Sequence, residues 1–140
     1  MVSFVVDASV TLSWCFEDEA NAWADALLER LRGGDQVCVP AHWPTEVSNG
    51  LLMALRKKRI KPGRFELFWD QLAALPIAVE PPISLDQIKD ILALCERHGL
   101  TIYDGTYLEL AKRRGFPLAT LDSALLRAAN QEGVAVVVPA

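Results

Sequence analysis

Four carboxylates in this chain stand where acids can do chemistry. Asp7 ends the apolar run Phe4-Val5-Val6 in FVVDASV, and Asp122 directly follows a second apolar run in ATLDSAL. Asp104 lies at the start of a helical stretch in TIYDGTYLELA, and Glu46 falls early in PTEVSNGLL, with Asn49 and Gly50 three and four residues on and so on its helix face. A charge at the end of a buried strand does nothing for solubility, and left unpaired it costs several kcal/mol or forces protonation. Each acid also has an ordinary structural role: Asp7, Asp104 and Asp122 as helix caps, Glu46 as a first-turn charge. Taken together they direct four anions at one place. At about 4 Å and an effective dielectric near 20, each pair repels by about 4 kcal/mol, and no Arg or Lys lies inside the four motifs. A divalent cation would neutralise them. Oxygen donors without His or Cys suit Mg²⁺ or Mn²⁺ rather than zinc, and the substrate that best uses such an ion is a phosphate ester.

These acids need a frame, and the hydrophobic pattern supplies one. Strands are expected at Ser3–Asp7, Gln36–Val39, Ile77–Glu80, Pro117–Leu121 and Val134–Val138. Helices are expected at 8–16, 21–32, 43–58, 62–74, 84–98, from Asp104 to Gly115, and at 123–132. Ser84 and Gln87 have the spacing of a capping box, and Gly99 and Gly115 follow helices as left-handed caps. Strands alternating with helices predict an α/β fold: a central parallel sheet of four to five strands with helices on both faces. Ligands of such sheets sit outside the carboxyl ends of strands, where strand order reverses. Asp7 and Asp122 meet there if the first and fourth strands are neighbours.

Composition narrows the function classes. The 140 residues, about half of them apolar, suffice for one domain with a proper core, here taken as 1–140. The N-terminus does not read as a secretory signal and no apolar run approaches a membrane span, so a cytoplasmic location is expected. Cys15, Cys38 and Cys95 read as buried thiols, not a disulfide frame or zinc site. A catalytic triad on His42 or His98 has little support; His98 suits the end of its helix. The net charge of −4 argues against a nucleic-acid coat protein. Nevertheless Arg56, Lys57, Lys58, Arg59, Lys61 and Arg64 gather six of the fourteen basic residues in one run, and Lys112 to Arg114 add three. Such runs are commonly solvated helix ends; the functional alternative is a phosphate-steering patch beside an acidic pocket.

The motifs FVVDASV, PTEVSNGLL and IYDGTYLELAKRRGFPLATLDSALLRAANQEGV, in that order, resemble the PIN domain, above all the VapC-type ribonuclease toxins of prokaryotic toxin–antitoxin pairs. The likeness covers nearly the whole chain, and its most specific block runs from Tyr103 to Leu125. It implies a metal-dependent single-strand endoribonuclease with Asp7, Asp104 and Asp122 as ligands of Mg²⁺ or Mn²⁺. It further implies catalytic work for Glu46, acting through water, and auxiliary polar roles for Ser9, Asn49 and Thr120. A homodimer and a cognate VapB-type antitoxin are the implied protein partners. Trp14, Phe16, Trp23 and Leu51 to Leu55 are candidates for apolar contact surface, though core is the commoner fate of such residues. Gly105 stands where the family usually has Ala, a slightly weaker helix start.

Other readings stay open on the sequence. A housekeeping PIN-domain RNA-processing nuclease would use the same residues. DASVT loosely matches the signature of haloacid-dehalogenase-type phosphatases, but Ser9 replaces their general acid. A non-catalytic binding module would use the acids only as caps.

Overall fold

The computed structural model describes residues 2–137. Among these residues four strands, β1 (Ser3–Val6), β2 (Gln36–Val39), β3 (Ile77–Val79) and β4 (Leu118–Ala119), form a parallel sheet in the order β3-β2-β1-β4. Val5 pairs with Cys38 on one side and Leu118 on the other, and Val6 pairs with Ala119. Phe4, Val5 and Val6 are all fully buried. Successive strand residues face opposite sides, so β1 is covered on both faces, which explains its continuous apolar run. The β1–β4 neighbourhood places the residues that follow both strands at one edge of the sheet.

Seven α-helices among the described residues surround it: α1 (Ala8–Ser13), α2 (Ala22–Arg32), α3 (Trp43–Arg56), α4 (Pro62–Ala73), α5 (Leu85–His98), α6 (Ile102–Arg114) and α7 (Ser123–Gln131). α6 lies against β1 and β4 and packs between α5 and α7, while α1 packs on α3 and α3 on α4. The capping box forms as expected: Ser84 Oγ accepts from the Gln87 N–H, and Gln87 Oε1 accepts from the Ser84 N–H. Gly99 and Gly115 close α5 and α6 at φ 65° and 68°, where a Cβ would be strained.

Local chemistry accounts for the departures from expectation. α1 stops at Ser13 rather than at Phe16; Trp14 gives its indole N–H to the Ala24 carbonyl at 2.8 Å. β4 is two residues long rather than five, because the N–H groups of Leu121 and Asp122 go to the hydroxyls of Ser9 and Thr120 instead of a ladder. The expected fifth strand is a single bridge from Val136 to Leu118, fixed by Leu118 N–H to Ala135 O and Val137 N–H to Leu118 O; its last expected residue, Val138, lies outside the described residues. α6 begins at Ile102, not after Asp104: Thr101 caps it by accepting the Asp104 N–H at 3.1 Å.

Gly105 has a packing reason that helix propensity did not suggest. A Cβ there would stand 2.2 Å from the Cys95 sulfur, so the missing side chain lets α6 lie against α5. Cys15, Cys38 and Cys95 are free and buried. Phe16 and Leu51 belong to the core, Trp14 and Trp23 are half-buried, and Leu52 is partly exposed.

Candidate active site

Asp7 is the buried end of the site, with 3% of its surface exposed. Its Oδ1 accepts from Ser9 Oγ at 2.6 Å and from the Val10 N–H at 3.2 Å, and its Oδ2 accepts from Thr120 Oγ1. Ser9 and Thr120 each serve twice. Ser9 Oγ accepts from the Leu121 N–H at 3.0 Å, and Thr120 Oγ1 from the Asp122 N–H at 3.0 Å. Through these two hydroxyls the turn after β4 is laced to the carboxylate after β1. Asp122 in turn caps α7, accepting from the Leu125 N–H at 2.8 Å.

No Lys or Arg among the described residues forms an ion pair with Asp7, Glu46, Asp104 or Asp122. Burial therefore acts on Asp7 with only neutral donors to oppose it. It pushes the carboxyl up to about 6, against the lowering effect of Ser9, Thr120 and the Val10 N–H, with the Asp104 charge adding a little. Asp104 is also raised, first by burial and then by the charges of Asp122 and Glu46. Asp104 thus feels the charges of Asp122 and Glu46, and Asp7 feels that of Asp104. The acids that serve the fold are treated differently. Glu132 receives Lys112 and His98 and lies beside Arg97, which holds it down at about 2; Glu80 receives Arg113 and Arg114.

Glu46 sits in the first turn of α3, and Tyr107 of α6 donates its phenol to Glu46 Oε1 at 2.6 Å. Burial and this carboxylate push the phenol far above its usual range, so it remains a donor. The His42 ring stands edge-on to Tyr107 with centroids 5.0 Å apart, and its Nε2 lies 3.6 Å from Glu46 Oε1 without a hydrogen-bond partner. Burial depresses its pKa, partly opposed by Glu46. Sequence reasoning missed both neighbours. Tyr107 was detectable as the residue one helical turn after Asp104. His42 was detectable in the same way, one helical turn before Glu46, although its contacts with Tyr103 and Tyr107 come from a helix some sixty residues away.

Other expected residues are placed differently. Asn49 is exposed, and Gly50 gives room to Leu12, whose side chain would lie 2.6 Å from a Cβ there. The basic run leaves the site: at about 1.5 Å rise per residue, Arg56 is about 15 Å along α3 from Glu46. Arg59 is held by Asp18 and Glu19 and lies over the Phe16 ring at 4.1 Å, and Arg64 reaches the Cys15 carbonyl at 3.4 Å. Arg56, Lys57, Lys58 and Lys61 are exposed. Lys112, Arg113 and Arg114 are paired with Glu132, Glu109 and Glu80, which offset their charge. His98 is buried between Gln131 and Glu132, so it ties α5 to the end of α7 rather than only facing its own helix dipole.

The donor set at the sheet edge is oxygen-only, anionic and without a protein cation, which fits a hard divalent ion. Among the described residues no three His, Cys, Asp or Glu side chains lie close enough together to chelate one ion as they stand. The firmest element is Asp7, fixed by three donors, while Asp104 keeps its carboxylate in the first turn of a helix. Ser9 is committed to Asp7 and Leu121, so the position that would hold a phosphatase's general acid carries a positioning hydroxyl.

The strand order, the flanking helices and the acids that follow β1 and β4 define the class of protein: a parallel α/β domain with carboxylates at the carboxyl edge of its sheet. The PIN domain family model matches residues 4–131, and the chain belongs to that family. A curated relative, ribonuclease VapC3 of Pyrobaculum aerophilum, is 27% identical over 124 residues, covering 89% of this chain and 92% of the relative. Several solved structures share the fold. A toxin–antitoxin complex from Klebsiella pneumoniae superposes with a TM-score of 0.67 at 18% identity, covering 98% of each chain. VapC20 of Mycobacterium tuberculosis, described as a sarcin–ricin loop cleaving toxin, superposes with a TM-score of 0.61 at 16% identity, covering 97% of this chain and 99% of that one.

Proposed function

We propose that the chain is a single PIN domain acting as a metal-dependent single-strand endoribonuclease, the toxin of a VapBC-type toxin–antitoxin pair. The observation that carries this reading is Asp7: a buried carboxylate at the carboxyl end of β1, held by Ser9 and Thr120, coupled to Asp104 and without a basic partner. Asp7, Asp104 and Asp122 would hold Mg²⁺ or Mn²⁺. Bound there, the ion would supply an acidified water and offset charge on the attacking and leaving oxygens of an RNA phosphodiester.

The chain's own residues do the rest. Ser9 and Thr120 fix both oxygens of Asp7, so little reorganisation is left for the reaction. Tyr107 fixes Glu46 through Oε1, leaving Oε2 to take a proton from the attacking water. The products would carry 5′-phosphate and 3′-hydroxyl ends. Arg56, Lys57, Lys58 and Lys61, at the far end of α3, would hold flanking phosphates rather than the scissile one.

The relative named as a ribonuclease and the neighbours described as toxins support this activity, and they support an antitoxin as protein partner. A homodimer and a cytoplasmic location belong to the same reading; no helix among the described residues is long and apolar enough to cross a membrane. Expression of the chain alone in a bacterial host tests the toxin role. Growth arrest that Asp7→Ala abolishes supports a toxin, whereas normal growth with an RNA-cleaving protein points to a housekeeping nuclease.

A further inference from the structure

Three rings run outward from the core beside the acidic edge. Tyr107 is fully buried, His42 is half-buried with its ring 5.0 Å from Tyr107, and Tyr103 lies 5.7 Å beyond His42 at an interplanar angle of 52°. Both spacings are those of favourable aromatic pairs. The last ring is 63% exposed. Tyr103 immediately precedes Asp104 in the first turn of α6. Across the edge, Leu121 is 41% exposed and immediately precedes Asp122. Two of the four acids thus carry an exposed apolar neighbour, and one of these is an aromatic ring braced from behind.

A braced ring with an open face has already lost much of the rotamer freedom that stacking would remove. Single-stranded RNA is recognised largely by splayed bases stacked on such rings, which tolerate any base because every base has a π-face. The acids and their cation would take the phosphate, and the neutral group of the strand next to that phosphate is a base. Resting on the ribonuclease reading, we propose that Tyr103 is the stacking platform for the nucleobase adjoining the scissile phosphate. His42 acts as its brace, and the platform favours unpaired RNA because a paired base cannot turn out onto it.

The test uses a single-stranded oligoribonucleotide that the wild type cleaves, and a matched one lacking the base beside the cut bond. Tyr103→Ala, an exposed change whose fold is checked by thermal melting, should lower kcat/KM on the intact strand about 5- to 150-fold. Tyr103→Phe, which keeps the ring, should restore most of that loss. On the abasic strand the wild type should fall to the level of Tyr103→Ala, and the substitution should cost nothing more. Unchanged cleavage by Tyr103→Ala would overturn the proposal, as would an equal loss on both strands. So would a variant that cleaves normally but loses association with a second protein or a second copy, since the ring would then be a protein contact. A wild type that cleaves no RNA would instead remove the ribonuclease reading on which the proposal rests.

Discussion

Replacing Asp7 by Asn should make the metal-free protein more stable at neutral pH. Burial holds the Asp7 carboxyl at about 6 in the folded chain against an ordinary value of 3.8. That gap of about two pH units, at about 1.4 kcal/mol each, makes the charged folded form about 3 kcal/mol less stable than a neutral equivalent. The folded chain binds this proton more tightly than the unfolded chain does. The cost is therefore full above pH 6, shrinks as the pH falls from 6 towards 4, and is gone below 3.8. Asn keeps an acceptor for Ser9 and the Val10 N–H, and its amide can donate to Thr120 Oγ1, so the lacing survives. Thermal melts of wild type and Asp7→Asn in EDTA, followed by the fluorescence of the four tryptophans, should differ by about 10 °C at pH 7.5 and converge near pH 4. Added Mg²⁺ should raise the wild-type midpoint and leave the variant nearly unmoved. A variant less stable than wild type at pH 7.5, or a difference that does not change with pH, would refute the claim that Asp7 is a buried charge held for function at the expense of stability.

Gly105→Ala should destabilise the protein by about 1–3 kcal/mol despite the better helix former, because its Cβ meets the Cys95 sulfur at 2.2 Å. Adding Cys95→Ala should recover most of the loss in urea denaturation, and a double variant no better than Gly105→Ala would show that the clash is not the cause. Arg59→Ala should lower the melting temperature but leave RNA affinity unchanged, since its guanidinium is already committed to Asp18 and Glu19. Lys57→Ala and Lys61→Ala should each weaken binding and reduce the salt slope by about 0.7, measured by fluorescence anisotropy across a salt series; an unchanged slope would show that these lysines touch no phosphate.

Much of this site could be read from the sequence because its parts lie next to strong local signals. Asp7 and Asp122 follow apolar strands, and once β1 and β4 are neighbours the two must share an edge. Both also cap helices, so the structural and functional readings of these acids are not alternatives: one oxygen can hold a helix start while the carboxylate remains uncompensated. Asp104 was harder, since Thr101 three residues earlier makes the same kind of cap and shifts the helix start ahead of the acid. What stayed hidden depends on distant segments. The basic run looks like a phosphate patch in one dimension, but Arg59 meets acids some forty residues away, and Lys112 and Arg114 meet Glu132 and Glu80, twenty or more residues away. His42 and Tyr107 come together only because the start of α3 meets α6, where both rings lie beside Glu46. The run after Val134 has a strand's composition, yet among the described residues only Val136 bridges to β4.

Cleavage of a mixed-sequence, partly structured RNA by the purified protein tests the central claim most directly, with Mg²⁺ or Mn²⁺, with EDTA, and with Asp7→Asn under the same conditions. Cuts in single-stranded segments are expected with either ion, and none above background with EDTA or with Asp7→Asn. Equal cleavage in all of these conditions would contradict a carboxylate-held metal site built on Asp7.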